Sequence, residues 1–188
     1  MKQTSKIVAI LAGGKAKRFE GQDKGAIRLR GERFIDIIYR RLSTQADEIL
    51  ISGTHDYDLG LKIVPDINEA PGGPVGGLYS IWKELSSREA EGFFTVPVDG
   101  PNLPLDLIQR LYSPLSSSIA VDEKGRHPTF SWWRMADLAE LFEDINTERS
   151  ISLNRLAANI LAEDVNWDGD SNFININRLE DLRTMELD

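Results

Sequence analysis

The chain contains no cysteine. That excludes disulfides, thiolate zinc sites and cysteine nucleophiles, and it suits a reducing cytoplasm, the expected location. Histidine is nearly absent too: His55 and His127 are the only two, which leaves little scope for a histidine-rich metal site. No apolar run approaches the length of a membrane span. Residues Met1 to Lys6 lead straight into an apolar run, so no signal peptide is expected. Repeats, low-complexity tracts and linkers are missing. Positive charge is in deficit: 22 Lys and Arg face 30 Asp and Glu, for a net charge of −8. A broad basic surface for nucleic acid is therefore not expected. Two familiar phosphate-loop spacings, G-x-x-x-x-G-K-[ST] and G-x-G-x-x-G, are also lacking.

What remains is a chain of 188 residues, long enough for one α/β domain with a sizeable core and short for two. A single domain over residues 1–188 is expected. Apolar runs at Ile7–Leu11, Glu48–Ile51, Leu61–Val64 and Phe93–Val98 read as strands. Between them, Phe34, Ile35, Ile37, Ile38 and Leu42 form a helical stripe, and Leu78, Ile81, Trp82 and Leu85 form another. Strand and helix alternate in a βαβ rhythm. The expected fold is a doubly wound, mostly parallel Rossmann-like sheet with helices on both faces. Later in the chain, Asp106–Tyr112, Ala136–Phe142 and Ser150–Ala157 read as helices. Ser118–Val121 and Arg126–Trp133 read as strands around a hairpin turn at Asp122–Gly125.

Directly after the first strand comes Leu11-Ala12-Gly13-Gly14-Lys15-Ala16-Lys17-Arg18, and then Asp23-Lys24-Gly25. Gly13 and Gly14 carry no Cβ, so backbone N–H groups there can approach a ligand closely. Lys15, Lys17, Arg18 and Lys24 supply cations, and a guanidinium can fork two donors onto phosphate oxygens. Backbone donors and cations at the carboxyl end of a strand make an anion site, for which a nucleoside triphosphate is the expected occupant. Its positive charge is local within an acidic protein, as a small-anion pocket requires.

Three further stretches carry chemistry. Ala70-Pro71-Gly72-Gly73-Pro74-Val75-Gly76-Gly77 opens the second helix, with Pro74 where a missing N–H costs nothing. Asp99 follows the buried Phe93–Val98 run, where α/β sheets bind ligands. Its carboxylate is a hard ligand of the kind magnesium takes beside substrate phosphates. Phe173-Ile174-Asn175-Ile176-Asn177 alternates with period two and is expected as a strand with both amides on one face. A donor loop, a strand-end carboxylate and no plausible nucleophile point to phosphoryl chemistry by positioning and charge neutralisation.

The opening loop resembles L-A-G-G-x-x-x-R-M-G-x-D-K, the signature of nucleotidyltransferases that activate sugars and cofactors. With Gly25 after Asp23-Lys24 it looks most like the molybdenum cofactor guanylyltransferases, the MobA family. Phe19-Glu20-Gly21 stands where the family has Met-Gly-Gly. The resemblance extends over nearly the whole chain: the Pro-Gly-Gly-Pro segment resembles the family's P-G-P-L-A-G, whose backbone lines the purine pocket. Val96-Pro97-Val98-Asp99-Gly100-Pro101 resembles P-C-D-T-P, whose Asp binds the metal, with Val98 and Gly100 departing from Cys and Thr. Phe173–Asn177 resembles the terminal F-x-N-x-N.

The resemblance implies a nucleotide-diphospho-sugar transferase-like fold and transfer of GMP from GTP to the phosphate of the molybdopterin cofactor, with pyrophosphate released. It implies nucleotide binding by Leu11, Ala12, Gly13, Gly14, Lys24, Asp66, Gly76 and Asp99. It implies Mg2+ on Asp99 and Asn177, and catalytic roles for Arg18, Lys24 and Asp99. GTP, the molybdopterin acceptor and cofactor-delivering proteins are the implied partners, with no nucleic acid and no membrane. The family's H-P segment, here His127-Pro128, faces the acceptor. Arg149 and Arg155 are candidates for the acceptor's phosphate, and Trp132 and Trp133 for the core. Transfer of cytidylyl to the same pterin, transfer of a nucleotide to a sugar phosphate, and a nucleotide-binding partner without catalysis remain open at this stage.

Overall fold

The computed structural model describes residues 5–13, 23–143, 151–169, 172–176 and 181–182. The first strand, β1 (Ile7–Leu11), is apolar throughout and buried along nearly all its length. After it come a 3₁₀ turn (Lys24–Ala26) and a two-stranded ribbon, β2 (Arg28–Leu29) and β3 (Glu32–Arg33). Helix α1 (Phe34–Leu42) follows with Asp36 in its first turn and Arg40 and Arg41 in its last, each complementing the helix dipole. Then come β4 (Glu48–Ser52), β5 (Lys62–Val64) and helix α2 (Pro74–Leu85). The second half runs β6 (Gly92–Pro97), α3 (Leu107–Leu111), β7 (Ser118–Asp122), β8 (Gly125–Arg134), α4 (Met135–Glu143), α5 (Leu153–Asn159) and β9 (Glu163–Asn166).

One seven-stranded sheet carries the fold, in the order β5-β4-β1-β6-β8-β7-β9. Every pairing is parallel except the two made by β8. The expectation of a mostly parallel, doubly wound sheet is met. The chain winds outward from β1 through β4 to β5, then crosses back to β6 on β1's other side. The direction of winding thus reverses between β1 and β6, and the crevice for a ligand opens at their carboxyl ends.

Helices cover both faces, and neighbouring residues of each strand feed opposite cores. Val8, Ile10, Ile51, Phe94 and Trp132 pack with α1 and α3. Ile7, Ala9, Leu50, Phe93 and Trp133 pack with α2, α4 and α5. Both tryptophans are fully buried, on opposite sides of β8. The core reading for them holds.

Two sequence expectations differ from the structure. The segment Phe173–Ile176 is no strand: a turn at 172–173 leads into irregular chain. Phe173 enters an aromatic cluster with His127, Phe130 and Trp167. The Ile176 N–H goes to the Asp99 carbonyl at 2.8 Å and not to a ladder. Phe173 and Ile176, three positions apart, are the buried pair, so the period is not two. The edge of the sheet is taken instead by β9, whose sequence Glu-Asp-Val-Asn has one apolar residue and carries no strand pattern. The helix expected from Ser150 begins at Leu153, because the Ser152 hydroxyl accepts from the Arg155 N–H as an N-cap.

Candidate active site

Three strand ends are stitched together at Leu11 and Ala12. The Ala12 N–H donates to the Ser52 carbonyl at 2.8 Å, and the Val98 N–H donates to the Leu11 carbonyl at 3.1 Å. Gly53 N–H reaches the Val64 carbonyl at 3.0 Å, adding the end of β5. Above this seam lies a cleft of about 410 Å³. Leu11, Ala12 and Gly13 form part of its floor. Ser52 and Asp66 close one side with Gly73, Pro74 and Gly77 of the α2 entry. Pro97, Val98, Asp99, Thr129 and Lys24 close the other.

Each wall has a local cause. Among the described residues, a Cβ on Gly13 would meet only the Ser52 carbonyl oxygen, at 4.0 Å. Packing against the described residues therefore does not require glycine there, and the missing Cβ leaves the backbone open to the cleft. At the α2 entry, Gly73 has φ 77 and ψ −159, a conformation open essentially to glycine alone, and Pro74 then starts the helix. Gly77 faces the cleft, and a Cβ there would stand 2.6 Å from Ser52 Oγ. Gly76 is turned away: its Cβ would collide with the Pro71 carbonyl. Of the two adjacent glycines, the one expected at the nucleotide packs behind the wall, and its neighbour forms the wall.

Asp99 sits in the turn just after β6, buried, with its carbonyl holding Ile176. Its Oδ2 accepts from Lys24 Nζ at 2.5 Å. Gly100, where the family pattern has Thr, lies under the Phe130 ring, and a Cβ would come within 2.5 Å of it. That departure follows from packing and leaves the carboxylate where it is. Lys24 is delivered by the 3₁₀ turn, which Asp23 caps by accepting from the Gly25 N–H at 2.8 Å.

Asp66 stands across the cleft, open to it, and makes no hydrogen bond or ion pair among the described residues. The protein wall around it removes water on one side, and this desolvation raises its carboxyl above the ordinary value.

On the β8 side, β8 gains extra residues against β7, so that Ile119 pairs with Ser131 but Ala120 with His127. The bulge holds Thr129 against the cleft, with Ser131 Oγ donating to the Pro128 carbonyl at 3.0 Å. His127 Nε2 lies 2.7 Å from Asp122 Oδ1, and its ring packs 5.0 Å from Phe173. Arg155 is exposed on α5 and does not line the cleft. Gly14, Arg18, Arg149 and Asn177 lie outside the described residues.

The site therefore gathers Leu11, Ala12, Gly13, Lys24, Asp66 and Asp99 from positions spread over 89 residues of chain, Leu11 to Asp99. Gly77 joins them from the glycine-rich stretch, and Ser52 and Thr129 join unannounced by sequence. Only Pro128 within a strand signalled the bulge that presents Thr129.

Residues 8–160 match the model of the MobA-like NTP transferase domain. The chain belongs to that family. A molybdenum cofactor guanylyltransferase of Cereibacter sphaeroides is 31% identical over 183 residues, covering 94% of this chain and 93% of its own. One from Photobacterium profundum is 33% identical over 183 residues, with 93% and 92% covered. Among solved structures, molybdopterin-guanine dinucleotide biosynthesis protein A from Archaeoglobus fulgidus superposes with a TM-score of 0.73 at 15% identity, covering 96% of this chain and 97% of its own. A 2-C-methyl-D-erythritol 4-phosphate cytidylyltransferase from Thermus thermophilus reaches 0.64 at 13% identity, with 98% of each chain covered. These two likenesses show the family's fold.

The donor set can be tested against a divalent cation. Asp99 offers one hard carboxylate at the cleft. Among the described residues no group of three or more His, Asp or Glu converges into a closed cage. That set fits a cation which takes one carboxylate and completes its shell with phosphate oxygens and water, as magnesium does.

Proposed function

We propose that this chain, working as one nucleotidyltransferase domain, transfers GMP from GTP to the phosphate of the molybdopterin cofactor and releases pyrophosphate. The observation that carries this reading is the Lys24–Asp99 pair beside Gly13, whose backbone carries no Cβ. Cation, carboxylate and the Gly13 backbone there share one cleft at the switch point of the sheet.

The Gly13 N–H, just past the end of β1, donates to the triphosphate, because Gly13 has no Cβ to obstruct the approach, while the Ala12 N–H is already given to Ser52. Asp66 and the Gly77 wall take the guanosine; a carboxylate there accepts from a base that presents N–H donors on one edge. A phosphate oxygen of the acceptor attacks the α-phosphorus of GTP. The bond from that phosphorus to the β-phosphate oxygen breaks, and its electron pair leaves on pyrophosphate. Lys24 donates to the phosphate oxygens that gain charge, and Arg18 adds a second cation. Mg2+, held by Asp99 with Asn177, supplies further neutralisation of phosphate charge when bound. The acceptor occupies the side of the cleft bordered by Thr129, two positions beyond His127 on β8, arriving from a cofactor-delivering protein in the cytoplasm. No described helix is long and apolar enough to cross a membrane.

The test is pyrophosphate release with each of the four triphosphates, Mg2+ and molybdopterin. GTP is expected to turn over, with the guanine dinucleotide cofactor as product. Turnover on CTP in its place would move the protein to a cytidylyl reaction. Binding of GTP with no release of pyrophosphate would leave a nucleotide-binding partner.

A further inference from the structure

The loop between β4 and β5 reaches across to the turn that carries Lys24. Tyr57, on that loop, is buried and holds a backbone φ of 54, and Asp58 holds 60. Both values lie in the left-handed region, which costs an ordinary side chain energy unless its surroundings enforce it. Here three contacts do. The Tyr57 carbonyl accepts from Arg33 Nη2 at 3.0 Å, and Arg33 is itself forked onto Asp36 by two bonds of 2.7 Å. The Tyr57 hydroxyl donates to Asp23 Oδ1 at 2.7 Å. The Tyr57 ring lies flush on Gly25, where a Cβ would come within 2.7 Å of it.

Asp23 Oδ1 is also the oxygen that caps the Gly25 N–H. One carboxylate oxygen thus ties the far loop to the first turn of the segment that aims Lys24. The exposed His55 ring lies 3.4 Å from the other oxygen and adds nothing that buries the turn. The Tyr57 hydroxyl keeps its proton at any ordinary pH, because burial and the Asp23 bond both raise its ionisation well above the usual tyrosine range. It is a permanent donor. It does not line the cleft, so it touches no reacting atom.

We propose that Tyr57 is a positioning residue for Lys24: through Asp23 it locks the Asp23–Lys24–Gly25 turn so that the lysine points at Asp99. This rests on the reading of Lys24 as the group that stabilises departing pyrophosphate. A lysine side chain is long and flexible, so its aim depends on a fixed base. Misplacement of a catalytic cation falls on the transition state more than on ground-state binding.

The variants are Tyr57→Phe, which keeps the ring and removes the donor, Asp23→Ala, and Asp23→Asn, which keeps an oxygen acceptor. Two readouts separate this inference from the reaction it serves. The first is exchange of the Gly25 amide by NMR without nucleotide. It is expected to speed about tenfold in Tyr57→Phe and Asp23→Ala, and to stay near wild type in Asp23→Asn. The second is steady-state transfer. Tyr57→Phe is expected to lower kcat about tenfold while KM for GTP moves by less than about twofold. Asp23→Asn should rescue, and Tyr57→Phe in an Asp23→Ala background should add nothing. An unchanged Gly25 amide, an unchanged kcat, a rise in KM alone, or faster exchange throughout the chain would each overturn the positioning role. Failure of the wild type to transfer GMP would instead sink the reaction, with the amide readout still deciding the lock.

Discussion

Lys24 Nζ and Asp99 Oδ2 stand 2.5 Å apart although 75 positions separate them in the chain. Their side chains are 27% and 13% exposed, so the pair is partly shielded from solvent. Two different elements bring them together. The buried run of β6 ends at Asp99, and the capped turn after β1 projects Lys24 over it. The site thereby holds a cation and a hard carboxylate at hydrogen-bond distance from each other, beside the cleft floor of Leu11, Ala12 and Gly13.

Lys24→Ala separates catalysis from binding. If the lysine meets phosphate oxygens more strongly as pyrophosphate leaves, kcat should fall about 10²–10³-fold, the scale of one lost electrostatic stabiliser. KM for GTP should rise far less. A raised KM with kcat preserved would make Lys24 a tether only. Steady-state kinetics at saturating Mg2+ distinguishes the two.

Asp99→Asn should leave the fold nearly intact, because the backbone bond from Ile176 goes to the Asp99 carbonyl, which asparagine retains. Metal-dependent turnover should vanish, since a neutral amide is a much weaker ligand for a hard dication. Turnover close to wild type across a Mg2+ titration would remove Asp99 from the mechanism.

Two glycine variants divide stability from ligand binding. In Gly13→Ala the new Cβ meets, among the described residues, only a carbonyl oxygen at 4.0 Å, so Tm should hold while GTP affinity drops by about 1–3 kcal/mol from intrusion into the proposed phosphate cradle. In Gly77→Ala the Cβ would press on Ser52 Oγ at 2.6 Å, so stability itself should fall by about 1–3 kcal/mol. Adding Ser52→Ala removes that oxygen and should restore much of the loss, a coupling that a thermal-melt cycle measures. Additive effects would show that the contact between the two residues is not what fixes the wall.

Much of this was legible in sequence, for reasons visible residue by residue. β1 and β6 are runs with no charged residue, and such runs have no stable place but a sheet buried on both faces. Asp99 was legible because a lone carboxylate at the end of such a run has few other reasons to be there. Gly76 and Gly77 were not separable, because only the Pro71 carbonyl behind one and Ser52 beside the other tell them apart. The Asn175 segment mimicked a strand because alternation says nothing about where an N–H goes, and the Ile176 N–H goes to Asp99. β9 was silent because an acidic edge strand buries little. Tyr57 was silent because its bond to Asp23 joins residues 34 positions apart, beyond any local pattern.

Asp66 gives the sharpest pH test. Its carboxyl is raised from 3.8 by desolvation. The folded protein therefore holds a proton at Asp66 at pH values where the unfolded chain has already released it. The folded state binds more protons in that window, so its stability falls as pH rises from about 3.8 through the folded value. Above the window the cost of ionising a partly desolvated carboxylate remains. Below it the acid is neutral in both states, and there is no penalty. Asp66→Asn removes the ionisation and keeps the shape. It should raise Tm at pH 7 and leave Tm at pH 3 unchanged, because only the first condition carries the cost. If Asp66 holds the base, the same variant should weaken GTP binding by about 1–3 kcal/mol, the scale of a lost hydrogen bond to a charged group. A stabilised protein that binds GTP less well is the expected combination, with strain kept at the site for function. Thermal melts at the two pH values and GTP calorimetry of this one variant check it. Lower Tm at pH 7 would mean that Asp66 has a stabilising partner. Unchanged GTP affinity would return it to the turn after β5.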